Sequence, residues 1–264
     1  MNIGIIGNGA IGTFVRTRLI EMGHQITAVL VRTEKREAVQ GTLGTDILVI
    51  SDPADFPKNT DIVADCAGHE ALRNYGPATL AAGFDMVTVS IGLLADQSIA
   101  DALEGAALKG NAKLHLASGA IGALDALRAG KSGQLDQVIY TGRKPPEGWR
   151  GTPAEDVLDL AKPLETAATH FEGTAREAAL RYPKNANVAA AVALAGVGLD
   201  KTRVQLIADP DVTANIHQVT AHGTFGELSF QIMGKALESN PKSSALAAMS
   251  VLSKIEDLSQ PICF

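Results

Sequence analysis

The stretch Met1-Asn-Ile-Gly-Ile-Ile-Gly-Asn-Gly-Ala-Ile-Gly-Thr13 decides the fold. It carries the pattern G-x-G-x-x-G at Gly7, Gly9 and Gly12. The apolar Ile3, Ile5 and Ile6 lead into it, and the helically spaced Phe14, Val15, Leu19 and Ile20 follow. Strand, glycines and helix in that order are what a dinucleotide-binding βαβ unit requires. Gly7 serves the tight turn, Gly9 lets backbone approach a pyrophosphate, and Gly12 lets the helix lie close to the strand. The first helical N–H groups, at the positive end of the helix dipole, then face the phosphates. Gly7, Asn8, Gly9, Ala10, Ile11 and Gly12 are therefore the first candidate cofactor-binding residues. A glycine-rich turn in an unrelated α/β protein would have no reason to keep this order.

Outward from this stretch, strand and helix signals alternate. Strands are expected at Ile3–Ile6, Gln25–Val31, Ile47–Ile50, Asp61–Cys66, Met86–Val89 and Lys113–Ala117. Helices are expected at Thr13–Met22, Glu70–Ala82 and Ile99–Lys109, the last two stopped by Gly83 and Gly110. Such alternation implies a Rossmann-type, doubly wound parallel sheet whose ligand crevice lies at the carboxyl ends of its strands. The pattern changes after Ser118-Gly-Ala-Ile-Gly122. Longer strands are expected at Asp136–Arg143, Arg203–Ala208, Ala214–Ala221 and Glu227–Met233. The turn His222-Gly-Thr-Phe-Gly226 would make a hairpin of the last two. Helices are expected at Ala123–Arg128, Thr174–Leu180 and Val188–Leu199. This second block reads as an α+β domain with an open mixed or antiparallel sheet. The expected division is a dinucleotide domain at 1–119, a substrate, catalytic and oligomerisation domain at 120–239, and a last helix at 240–264 packing back on the first domain. Asn240 would cap that helix, Pro241 would open it, and Ala245, Ala248, Met249, Leu252 and Ile255 would form its apolar stripe.

Bulk properties exclude several function classes. A net charge of −6 disfavours a nucleic-acid partner. Only two cysteines occur, Cys66 and Cys263, too far apart for a metal-site spacing, and they fit a reducing cytoplasm better than a disulfide scaffold. The first residues show no basic n-region followed by a hydrophobic core, so no signal peptide is expected. The longest apolar run, Val188–Leu199, falls short of the roughly 18 residues a membrane span needs.

The second strand ends Val31-Arg32-Thr33-Glu34. Folds selective for NAD place an acid there, about 20 residues past the glycines, for the ribose 2′-hydroxyl. Arg32 instead accommodates a 2′-phosphate, so NADP is expected beside NAD. A solvated surface arginine would read the same way. Cys66 and His69 follow the fourth strand, where a loop lines the cofactor. His69 reads as catalytic or as a hydrogen-bonding loop residue, and Cys66 as a small buried one. His24, His115 and His170 read as structural.

Several segments together resemble one family: the N-terminal glycine motif, Ser118-Gly-Ala-Ile-Gly122, Thr141-Gly-Arg-Lys-Pro-Pro146, Phe171-Glu-Gly-Thr-Ala-Arg-Glu-Ala178, Tyr182-Pro-Lys-Asn-Ala-Asn-Val-Ala-Ala190 and the Ile216-His217 strand. They are similar to the L-aspartate dehydrogenases, over essentially the whole chain. The resemblance implies NAD(P)-dependent oxidative deamination of L-aspartate to iminosuccinate, which hydrolyses to oxaloacetate and ammonia and also links to NAD biosynthesis. It implies a cytoplasmic homodimer, similar in fold to dihydrodipicolinate reductase and homoserine dehydrogenase. A reductase of that kind is the alternative activity, and a dinucleotide sensor without turnover is the non-enzymatic one. The resemblance puts the catalytic histidine at His217 and cofactor contacts at Ala120 and Asn187. Asn187 would serve equally as a helix cap.

A histidine suits the proton transfers of deamination because its ordinary pKa lies near neutrality. On a regular strand His217 shares a face with Val219 and Ala221, and His222 takes the other face. A dicarboxylate needs local cations against the chain's negative balance. The doublet Arg143-Lys144, with Arg143 the first choice, and Lys184 are the candidates for substrate binding, each also readable as a solvated surface charge.

Overall fold

Gly7 closes the first strand with φ at 98°, a left-handed value that favours glycine, and the first helix starts three residues later. The computed structural model describes residues 1–183 and 186–263, with the side chains of Pro241 and Lys242 outside that description. The first part of the chain runs β1 (Asn2–Ile6), α1 (Ala10–Glu21), β2 (Gln25–Leu30), α2 (Arg36–Leu43), β3 (Leu48–Ile50), β4 (Ile62–Asp65), α3 (His69–Ala81), β5 (Asp85–Thr88), α4 (Gln97–Gly110) and β6 (Leu114–Leu116). Its six strands pair in the order β3-β2-β1-β4-β5-β6, every pair parallel. The order reverses between β1 and β4, and there the crevice of a doubly wound sheet opens. Ile3, Ile5, Val29, Val49, Ile62 and Val87 are buried in its centre, as strands covered on both faces require.

The second part runs α5 (Leu124–Ser132), β7 (Leu135–Lys144), β8 (Ala168–Thr174), α6 (Ala175–Arg181), α7 (Asn187–Ala195), β9 (Arg203–Ala208), β10 (Asn215–Gly223) and β11 (Gly226–Gly234). Five strands pair as β11-β10-β7-β9-β8, antiparallel except for β7 with β9. The expected hairpin is present, with Gly223 opposite Gly226 around Thr224 and Phe225. Helix α7 is almost entirely alanine and valine on its buried positions, Val188 to Ala193. Small side chains let it lie close against β7, and a 3-10 segment at Ile91–Ala95 from the first part packs on it too. Among the described residues no helix is long and apolar enough to cross a membrane.

Three elements depart from expectation. Residues 240–244 are not the start of the last helix. They form β13 (Asn240–Ser244), paired with β12 (Ala236–Leu237), and the helix α8 (Ala245–Ser259) begins after them. Ser244 outcompetes Asn240 as the cap: its hydroxyl accepts from the Ala247 N–H at 3.4 Å, while Asn240 is drawn into the hairpin. Helix α2 buries no residue fully; only Val39 and Leu43, partly buried, pack on the core, too short an apolar stripe to mark it in the sequence. Strand β8 pairs irregularly around His170, which disrupts its alternation. Helix α8 packs against α1 and β5, with Ala248, Val251, Leu252 and Ile255 in the core of the first sheet. Its Glu256 holds His24 at 2.7 Å.

Candidate active site

The turn after β1, the end of β2 and the end of β4 enclose a cleft of about 500 Å³, lined by Gly7, Asn8, Gly9, Arg32, Cys66 and Ala67 among others. That volume suits part of a dinucleotide. A Cβ on Gly7 would stand 2.7 Å from the Ala67 Cβ, and one on Gly12 only 2.3 Å from the Gly7 carbonyl oxygen. Helix α1 therefore approaches the turn more closely than any side chain permits. No atom lies within 4 Å of where a Gly9 Cβ would stand, so that face is open. Ala10, Ile11 and Gly12 form the first turn of α1, where N–H groups have no partner inside the helix. An open glycine face beside a helix N-terminus fits a pyrophosphate.

Arg32 lines the cleft with its side chain more than half exposed, 3.2 Å from Glu34. Cys66 is buried. Burial first, and the Asp65 charge second, push its thiol up, so it stays protonated and is no nucleophile. Asp65 beneath it is fully buried. It accepts from the hydroxyls of Thr88 at 2.8 Å and Ser90 at 2.9 Å, and from the Ala67 N–H at 3.1 Å. Burial raises its pKa against the pull of these hydrogen bonds. This carboxyl ties the loop after β4 to the loop after β5.

Both loops reach α7. His69 Nε2 lies 2.7 Å from Asn187 Oδ1, and the Gly92 N–H donates to the same oxygen at 2.8 Å. Asn187 does not cap its helix: Ala186 is the N-cap residue and no side chain caps there. Ala120, between β6 and α5, is buried in the core that also holds Ile91, Val188 and Tyr140.

On the second sheet His217 lies opposite Gly142 and faces inward, 5% exposed, while His222 faces out toward Asp136. The inward face of β7 carries Val138, Tyr140, Gly142 and Lys144. The Tyr140 hydroxyl lies 2.8 Å from His217 Nδ1, and the two rings stack at 20°. Burial first, and the Lys144 charge second, bring the His217 pKa down to about 4. Lys144 is buried over the Trp149 ring, and burial lowers its ammonium to about 8.

Arg143, expected to bind substrate, is on the other face of β7 and is paired with Asp209. Of the doublet, Lys144 shares the His217 face. Lys184 lies outside the described residues. Sequence reading missed Tyr140 and named Lys144 only beside Arg143. Strand alternation places both on one face, but only the register of β7 against β10 puts that face at His217. His24, His115 and His170 make contacts with Glu256, Asp85 and Tyr182 respectively, away from the cleft lining.

Comparisons with known proteins bear on both parts. A family model described as aspartate dehydrogenase, C-terminal, matches residues 125–258, and one described as homoserine dehydrogenase, NAD binding domain, matches residues 3–117. An L-aspartate dehydrogenase of Ruegeria pomeroyi is 52% identical, over 97% of this chain and 91% of that protein. One from Pseudomonas aeruginosa is 45% identical, over 96% and 95%. Among solved structures, the aspartate dehydrogenase of Thermotoga maritima superposes with a TM-score of 0.78 at 27% identity, covering 100% of this chain and 99% of that one. A hyperthermophilic archaeal homoserine dehydrogenase in complex with NADPH shares the fold, with a TM-score of 0.60 at 12% identity.

Proposed function

The chain belongs to the L-aspartate dehydrogenase family of oxidoreductases, and from that premise we propose that it oxidises L-aspartate to iminosuccinate with NAD or NADP, the imine then hydrolysing to oxaloacetate and ammonia. The observation that carries this reading is His217: a buried, neutral imidazole on a face that also holds a buried cation. When bound, the dinucleotide supplies the acceptor for the hydride that leaves Cα. Gly7, Asn8, Gly9 and the first turn of α1 would hold its pyrophosphate, Arg32 its adenosine ribose, with Cys66 and Ala120 as further walls and Asn187 at the nicotinamide.

The chain's own residues manage protons and charge. The substrate amine must be neutral to release hydride, and its nitrogen sheds a further proton as the imine forms. His217 Nε2 takes that role if Nδ1 carries the ring hydrogen and donates to the Tyr140 oxygen. Burial keeps Tyr140 protonated, so its oxygen remains a hydrogen-bonding anchor rather than a phenolate. A pKa of about 4 makes the imidazole a weak base in the free protein. A dicarboxylate beside it raises that value, because a nearby negative charge favours the imidazolium. Lys144, and Lys184 outside the described residues, are the cations assigned to the substrate carboxylates in place of Arg143. The ammonium of Lys144 acts more strongly in a buried setting than a surface charge would.

The division into residues 1–119 and 120–239, with the last helix returned to the first unit, belongs to the same proposal. It is supported by two separate sheets and by the α8 contacts. So do a cytoplasmic setting, with both cysteines free, and a homodimer built on the second unit, whose outer sheet face exposes Met233. The link to NAD biosynthesis rests on iminosuccinate being captured before it hydrolyses. The test is absorbance of reduced nicotinamide after mixing protein, L-aspartate and either cofactor. Growth with L-aspartate, absent with D-aspartate and L-glutamate, is expected. A flat trace with both cofactors, in protein that binds NADH, would remove the substrate assignment and leave the fold.

A further inference from the structure

We propose that His69 is a positioning residue: with the Gly92 backbone it sets the Asn187 side chain so that the amide NH2, not its oxygen, is offered to the cofactor. This rests on the reading of Asn187 as a cofactor contact. The argument begins at Gly92. A backbone N–H can only donate, so the Asn187 atom 2.8 Å away must be the oxygen. With that oxygen placed, the atom facing it from His69, at 2.7 Å, must also be a donor, and Nε2 carries hydrogen. The interaction survives in both the neutral Nε2–H tautomer and the imidazolium. Two donors on one oxygen leave the amide a single orientation. Its NH2 group, which has no acceptor among the described residues, turns away from them.

The arrangement is braced from behind. Asp65 holds the loop leading to His69 through the Ala67 N–H, and the loop leading to Gly92 through Ser90. Residue 92 has no room for a side chain. A Cβ there would stand 2.8 Å from Asn187 Oδ1 and 3.1 Å from His69 Cε1. His69 also sits at the start of α3, whose Glu70 and Ala71 line the dinucleotide cleft. One loop thus connects the pyrophosphate end of the cleft to α7. A nicotinamide carboxamide has a carbonyl oxygen that an oriented NH2 recognises, whereas a freely flipping amide would present the wrong group half the time.

The experiment is calorimetric titration of the full chain with NADH and, separately, with ADP-ribose, which has the pyrophosphate but no nicotinamide. His69→Phe keeps a ring and loses the donor. It should weaken NADH about tenfold, the scale of one hydrogen bond, and leave ADP-ribose within about twofold. His69→Gln restores a donor and should recover most of the loss. Asn187→Asp still accepts from both partners but has no N–H to give, so it should lose NADH selectively, and Asn187→Ala should do the same. Wild-type NADH affinity in His69→Phe would overturn the proposal, and so would equal loss of both ligands, which marks a merely structural residue. Unchanged NADH binding in Asn187→Ala overturns it as well, by removing Asn187 from the cofactor. Wild-type protein that binds neither ligand would instead break the dinucleotide reading itself.

Discussion

The glycine turn after β1 and the inward face of β7 and β10 make an instructive pair. At the turn, everything needed lies within a few residues: Gly7 and Gly12 are five apart, and their close approach is a local backbone matter. At the sheet face, Tyr140 and His217 are 77 residues apart, and their contact exists only because Gly142 pairs with His217. The glycine turn is thus built from adjacent residues, and the Tyr140–His217 pair from distant ones. Damage to each should accordingly differ in kind.

The largest expected effect is at the sheet face. His217→Ala should lower kcat by about 10²–10⁴-fold while the Kd for NADH stays near wild type. Steady-state rates with L-aspartate and NADH titration separate the two, and an unchanged kcat would remove His217 from the chemistry. At the turn the opposite split is expected. Gly12→Ala forces a Cβ onto the Gly7 carbonyl, so dinucleotide affinity should drop more than about tenfold, with a loss of about 1–3 kcal/mol in denaturant stability. Unaltered NADH binding in that variant would mean the close approach is not needed.

Smaller effects sharpen the contrast. Tyr140→Phe should cost about tenfold in kcat, because the imidazole loses the partner that selects its tautomer, while cofactor affinity is kept. An equal fall in NADH binding would make Tyr140 structural instead. Acid should weaken the second sheet through its histidines. His217 and His170 have folded values of about 4, both lowered first by burial, against an ordinary 6.5. Between those values the unfolded chain binds more protons, so stability is full above about pH 6.5 and falls as pH drops toward 4. Denaturant midpoints measured at pH 7 and pH 5 should show the decline, and a flat profile would mean the two rings are hydrated. The mildest change is Arg32→Ala: a several-fold loss of NADPH affinity with NADH nearly untouched, read by titrating both. Equal responses would return Arg32 to a plain surface role.

Legibility followed the same division. The succession of strands in the first sheet and the hairpin around Thr224 could be read from spacing, and alternation put His217 and His222 on opposite faces; which of the two faces inward came from the family resemblance and the structure. The last helix was placed too early because Asn240-Pro241 and Ser244 are both good starts, and only hairpin pairing chose between them. Spacing alone does not choose within the doublet Arg143-Lys144, since two neighbouring cations on a strand point to opposite faces, and only the pairing of β7 with β10 puts Lys144 on the His217 face. His69 looked like an isolated loop histidine, because its partner Asn187 is 118 residues away.

By itself, then, the sequence determined what depends on short-range backbone geometry and period: a dinucleotide turn, a parallel sheet, a second antiparallel-rich block, and family membership through its motifs. Tertiary structure alone decided which side chains share a site. It set the register that puts Tyr140, Lys144 and His217 on one face, and the packing of α7 that brings Asn187 to His69 and Gly92. The physical reason is that turns and helix starts are satisfied by neighbours in the chain. A buried hydrogen bond between distant residues is specified only when the whole fold has fixed both ends.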